Sequence, residues 1–236
     1  MRVLAIDTAL AACSAAVFDS SRVDLSHGAM RRGILAAESA PMARGHAEAL
    51  IPMIGRVMKS AGLTFGDLDR VVVTTGPGSF TGLRVGIAAA RGLALAAEIP
   101  AVGVSTLSAY AAPYLGADNR SPVIAVVDAR HDLAYLQVFD ASGRTLVAPR
   151  LAPLDEAVRA ACDAPARIVG SAARAVAERL SGAAPAPLTV DAAAAPDIGW
   201  IAQIGAVAPQ APAPPKPQYL RAPDAQPQHA ASLPRR

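Results

Sequence analysis

The chain opens on Val3-Leu4-Ala5-Ile6-Asp7, an apolar run that ends in an acid and is followed by Thr8. Such a run predicts a central strand carrying functional groups at its carboxyl end. Ala12–Phe18 predicts the next strand and Val23–Ala29 a weaker third, followed by a loop rich in Gly, Ala and Ser. From His46 to Lys59 the apolar positions Leu50, Ile51, Ile54, Val57 and Met58 form a helical stripe. Pro52 is expected to kink this helix or mark a second start. Arg70–Thr74 predicts a buried strand running straight into Gly76-Pro77-Gly78-Ser79-Phe80-Thr81-Gly82. A helix over Thr81–Ala97 follows, ended by Pro100. Ala101–Val104 then predicts a strand and Thr106–Tyr114 a short helix.

The second half restarts this pattern. Ile124-Ala125-Val126-Val127-Asp128 matches Leu4-Ala5-Ile6-Asp7 in character, and Val138-Phe139-Asp140 matches Val17-Phe18-Asp19. Asp7 and Asp128, like Asp19 and Asp140, lie 121 positions apart, so the pattern implies duplication. Helices are expected at Leu154–Ala160, Ala172–Leu180 and Ile198–Val207, with strands at Arg167–Gly170 and Leu188–Val190. The five prolines of Ala208–Pro217 exclude a helix there. Tyr219–Arg221 is expected to dock back on the body, and Ala222–Arg236 to be disordered. A duplicated strand–strand–strand–helix–strand–helix unit predicts an α/β protein with mixed sheets. It fits the two-lobed actin, hexokinase and Hsp70 (RNase H-like) plan. The expected divisions are a first lobe over 1–105, a second, smaller lobe over 106–207, and a Pro-rich C-terminal segment and tail over 208–236.

Composition narrows the function classes. Apolar residues are 53% and charged residues 17%, which excludes wholesale disorder. Aromatics are only 4%, so the core is expected to be built from Ala, Val, Leu and Ile, and no aromatic platform for stacking RNA is evident. Net charge is +3, too small to argue for nucleic-acid binding. Arg31-Arg32 reads as a solvated loop rather than a phosphate contact. Cys13 and Cys162 form no ligand pattern, and a reducing cytosol is the expectation. Ala9–Phe18 is apolar behind Arg2, but Asp7 and Thr8 interrupt the run, so strand–turn–strand is expected rather than a signal peptide. No uncharged apolar run is long enough for a membrane span.

Candidate chemistry sits at turns. Neither the turn after Asp7 nor the turn after Asp128 contains the glycines that let backbone N–H groups approach a phosphate. The two acids, Asp7 and Asp128, read as remnants of a nucleotide site: each could hold a metal through water, and the favoured reading is that each caps a tight turn. The loop Gly76, Gly78, Ser79, Thr81 and Gly82 joins a buried strand to a helix N-terminus, where anions are favoured. It carries no Gly-Lys-Ser/Thr, so it is no Walker loop. Two readings stay open: an anion site, or a rigid turn in which the glycines take positive φ and Ser79 or Thr81 caps the helix.

Several stretches carry a family resemblance. They are Ala5-Ile6-Asp7-Thr8, Arg44-Gly45-His46, Leu50–Ile54, Thr75–Gly86, Gly92-Leu93-Ala94, Val102–Leu107 and Tyr219-Leu220-Arg221. The chain resembles the TsaB (YeaZ) family, densely to about Ala112 and loosely beyond. The resemblance implies a cytoplasmic, non-catalytic subunit for threonylcarbamoyl transfer to the tRNA adenosine beside the anticodon. Its implied partners are a TsaD-like catalytic subunit, a TsaE-like ATPase, tRNA indirectly through the complex, and a second copy in a homodimer. No cofactor and no metal are expected. The catalytic TsaD relatives carry His-x-x-x-His, and the corresponding positions here are Thr106 and Tyr110. The four histidines, His27, His46, His131 and His229, are scattered, and His46 reads as a helix-start or packing residue. An ATP-dependent small-molecule kinase and a metalloprotease of the same architecture are the alternatives.

A partner face is expected on the first lobe. The helix after the glycine loop is apolar nearly all round, which predicts cover on two sides. Ala88, Gly92 and Ala96 are small and four apart, Arg84 and Arg91 would rim the contact, and Leu50, Ile54 and Val57 would join it.

Overall fold

The computed structural model describes residues 1–22, 33–118, 120–180, 182 and 184–221. The expectations for Val23–Ala29, Arg31-Arg32, His27, His229 and Ala222–Arg236 lie outside these residues.

The first sheet is built from β1 (Arg2–Asp7), β2 (Ala12–Asp19), β3 (Ile34–Pro41), β4 (Arg70–Gly76) and β5 (Ala101–Ser105), in the order β3-β2-β1-β4-β5. The first three strands pair antiparallel, whereas β4 and β5 run parallel to β1. Ile34–Pro41, expected to be loop, is therefore the third strand. β1 is buried on both faces because its side chains alternate. Leu4 and Ile6 join α1 (His46–Ala61) and α2 (Phe80–Ala96) on one side. Val3 and Ala5 face α6 (Ile198–Val207) on the other. Helix α1 continues through Pro52 without interruption.

The second sheet comprises β6 (Val123–Asp128), β7 (Leu133–Phe139), β8 (Thr145–Pro153), β9 (Arg167–Val169) and β10 (Thr189–Asp191). Its order, β8-β7-β6-β9-β10, and its antiparallel and parallel pairings repeat those of the first sheet. The expected duplication is visible in individual hydrogen bonds. Asp7 Oδ1 accepts from Ala9 N–H and Asp128 Oδ1 from Arg130 N–H. Asp19 Oδ1 accepts from the N–H and hydroxyl of Ser21, and Asp140 Oδ1 from those of Ser142. β8 adds a strand that had no counterpart in the sequence reading.

Helices α4 (Leu154–Cys162) and α5 (Ala173–Arg179) cover one face of the second sheet. Its other face is covered by α3 (Thr106–Ala111), through Leu107, Tyr110 and Ala111. The expected second lobe over 106–207 thus needs correction, because α6 belongs to the core of the first. Arg70 Nη1 holds α6 there by donating to the Gly205 and Ala208 carbonyls, each at 2.8 Å. Gly205 lets the helix approach, since a Cβ there would collide with Val72.

Candidate functional site

The two acid-ended turns face each other across the space between the lobes. A cavity of about 600 Å³ lies there, lined by the turn at Ala9–Ala11, the loop Pro77–Thr81, the turn at Asp128–Arg130 and the C-terminal residues Gln218–Arg221. Aromatic groups in the lining come from Phe80, Tyr135 and Tyr219.

Asp7 sits behind this cavity rather than in its lining. It is fully buried and accepts from Thr74 Oγ1 as well as Ala9 N–H, while its Oδ2 has no partner. Burial pushes its carboxyl above the usual value of 3.8, although the two hydrogen bonds pull the other way. Asp128 is exposed and lines the cavity. Each acid accepts a backbone N–H from two residues further along its turn.

Two N–H groups of the glycine loop are engaged within the chain. Ser79 N–H donates to the Ala9 carbonyl at 2.7 Å, and Gly82 N–H to Ser79 Oγ at 3.3 Å. Thr8 Oγ1 donates to the Gly82 carbonyl at 2.7 Å. Ser79 is the N-cap, and Thr81 is exposed. The expectation that Gly78 and Gly82 adopt positive φ is corrected: of the loop glycines, Gly76 does so, at +113°. Gly78 and Gly82 are needed for space instead. A Cβ at Gly78 would run into the Ala9 carbonyl oxygen, and one at Gly82 into that of Thr8. Gly86 continues the row, with Thr8 Oγ1 lying 2.5 Å from where its Cβ would be. Gly82 and Gly86, four residues apart, mark this face of α2, and Gly78 precedes its N-cap at the same spacing, a signal the sequence reading passed over. The Ala9 carbonyl is thereby seated at the start of α2, against the Ser79 N–H.

Thr106 and Tyr110 are both buried on α3. The Tyr110 hydroxyl donates to the Ala193 carbonyl at 2.8 Å, and burial pushes its phenol well up. His46 opens α1, and its Nε2 lies 3.1 Å from the Leu10 carbonyl oxygen. Among the described residues, no group of three His, Cys, Asp or Glu side chains could hold a metal ion. Among them, no helix is long and apolar enough to cross a membrane.

The expected partner face divides in two. Leu50, Ile54 and Val57 are no more than 2% exposed and pack into the first lobe's own core, so they are removed from any surface contact. Their periodicity reported a buried face, and the chain's own sheet is what covers it. Ala88, Arg91, Gly92 and Ala96 are exposed on α2, beside Leu95 at 81% exposure. Arg84 is also exposed, yet its guanidinium lies 3.7 Å over the Phe80 ring and its Nε donates to the Tyr219 hydroxyl at 3.0 Å. Helix α2 is therefore covered on one side and open on the other.

Two copies of one five-stranded plan, meeting at a cleft where each first strand ends in an acid-capped turn, define a two-lobed protein of the actin and hexokinase class. The chain belongs to the TsaD family, tRNA N6-adenosine threonylcarbamoyltransferase, whose family model matches residues 34–196. It is 38% identical to the tRNA threonylcarbamoyladenosine biosynthesis protein TsaB of Escherichia coli, over 57% of this chain and 53% of that one. The chain spans about half the length of the TsaB relatives it matches. An uncharacterized protein of Mycobacterium tuberculosis is 36% identical over 95% of this chain and 94% of its own. The solved structure of YeaZ from Pseudomonas aeruginosa superposes with a TM-score of 0.69 at 26% identity, covering 87% of this chain and 90% of that one.

Proposed function

We propose that this chain is a non-catalytic scaffold subunit of tRNA threonylcarbamoyladenosine synthesis, acting in the cytoplasm beside a TsaD-like catalytic subunit and a TsaE-like ATPase. The observation that carries this reading is the packing at the start of α2: the Ala9 carbonyl accepts the Ser79 N–H, and Gly78 and Gly82 lie against the carbonyl oxygens of Ala9 and Thr8. A phosphate at this helix start would compete with that carbonyl for the same donor. Thr106 and Tyr110 stand at the positions of the imidazole pair implied for the catalytic relatives, and neither side chain replaces neutral imidazole as a metal ligand. The kinase and metalloprotease readings each lack one of these parts.

The exposed stripe of Ala88, Arg91, Gly92 and Ala96 supplies the docking face, shared by the TsaD-like subunit and a homodimer, which therefore compete. Small residues at this spacing allow a partner helix to approach closely. Co-expression with a TsaD-like protein tests the reading, with Gly92→Arg as the variant. Wild type should co-purify, and Gly92→Arg should lose capture by about a hundredfold while keeping its circular dichroism. Retained capture by the folded variant would place the interface elsewhere. One tightly held metal per isolated chain, or ATP turnover by it, would overturn the non-catalytic assignment.

A further inference from the structure

The Tyr-Leu-Arg motif at the end of the described chain has no part in the scaffold reading, yet it touches both lobes. The segment after α6 starts on the first sheet. Pro215 is buried next to β5, where a Cβ on Gly103 would lie 3.3 Å from the Pro215 Cβ. Gln218 N–H then donates to the Thr75 carbonyl of β4 at 2.7 Å. The Tyr219 ring rests on Phe80 with centroids 4.9 Å apart, and its hydroxyl accepts from Arg84 Nε. Arg221 crosses to the second lobe and donates from Nη1 to the Ala129 carbonyl at 2.8 Å, in the turn that Asp128 caps. Gln218 through Arg221 also line the interlobe cavity. The prolines of 208–217 restrict the unbound segment and so lower the entropy lost on docking.

We propose that residues 215–221 form a strap that sets the opening between the lobes and gates the cavity beneath it. Tyr219 is its anchor on the first lobe and Arg221 its latch on the second. Hinge motions between lobes are the default where one chain links two cores across a cleft, and a segment bonded to both sides restrains them.

The test uses the full chain with Arg221→Ala and Tyr219→Ala, each checked by circular dichroism. Hydrogen exchange is followed in the turn at residues 129–133. Interlobe distances are measured between spin labels on exposed Cys162 and a Lys59→Cys substitution, Cys13 being buried. Losing the charged hydrogen bond of Arg221 should speed exchange in that turn about tenfold or more and broaden the distance distribution. Exchange in β1 and α1 should stay at the wild-type rate. Tyr219→Ala should have the same effect on the second-lobe turn, although Tyr219 stacks on the first lobe. Folded variants with unchanged exchange and unchanged distances would overturn the strap. So would a Tyr219→Ala effect confined to Phe80–Leu83, because the segment would then be packing on one lobe alone.

Discussion

Gly82 and Gly92 lie on the same helix and should respond to alanine in opposite directions. At Gly82 a Cβ would enter the space of the Thr8 carbonyl oxygen, which is backbone in a buried turn and has little freedom to retreat. Overpacking of this kind costs about 1–3 kcal/mol. Any shift of the helix start also strains two bonds, Thr8 Oγ1 to the Gly82 carbonyl and Ser79 N–H to the Ala9 carbonyl. Losing one of them leaves a buried group unpaired and adds about 1–3 kcal/mol, so a total of about 2–6 kcal/mol is expected. A chain of this size loses about 2–4 °C per kcal/mol, which gives a drop of roughly 10 °C in Tm. Gly92 is exposed, and a Cβ there meets nothing within 4 Å. Its replacement by Ala should stabilise the helix by up to about 1 kcal/mol. Thermal unfolding of both variants by circular dichroism decides the matter. A Gly82→Ala melting temperature within a degree of wild type would refute the close-approach account.

Leu50→Ala should cost about 2–5 kcal/mol in the isolated chain, read by chemical denaturation, because Leu50 is core; a near-neutral result would return it to the surface face. Asp7 has a raised folded pKa, so the native state holds its proton more tightly than the unfolded chain. Its contribution to stability therefore falls as pH rises from the usual 3.8 through the folded value. Asp7→Asn should remove this decline and gain on wild type at neutral pH in paired urea titrations. Parallel pH profiles for the two proteins would contradict the assignment.

The central strands were legible because Val3–Ile6 and Val71–Val73 are apolar on both faces, and that composition has few other homes. The edge strands were not. Ile34–Pro41 is rich in Ala and ends in Pro, and Thr145–Pro153 holds Pro149 inside it; edge positions tolerate both features, while strand propensity argues against them. The bounds of α6 were legible from its apolar content, but its lobe was not, because that depends on Arg70 and Gly205 meeting across 135 positions. At the site, the acid-capped turns could be read from the repeated Asp spacing. The reason for Gly78 and Gly82 could not, since it lies in carbonyl oxygens brought from residues 8 and 9 by the sheet.

The placement of α6 has a consequence for how the protein is made. The first sheet is complete once β5 has left the ribosome, yet the helix that covers Val3, Ala5, Phe18 and Val72 comes about 100 residues later. At about 5–20 residues per second, that apolar face waits on the order of 5–20 s for its cover. During this interval the nascent chain carries a sticky, half-finished domain, and translation speed through the second lobe becomes a determinant of yield. Fragments cut between the lobes inherit the same defect permanently, so an expression strategy that separates them should deliver insoluble first lobes.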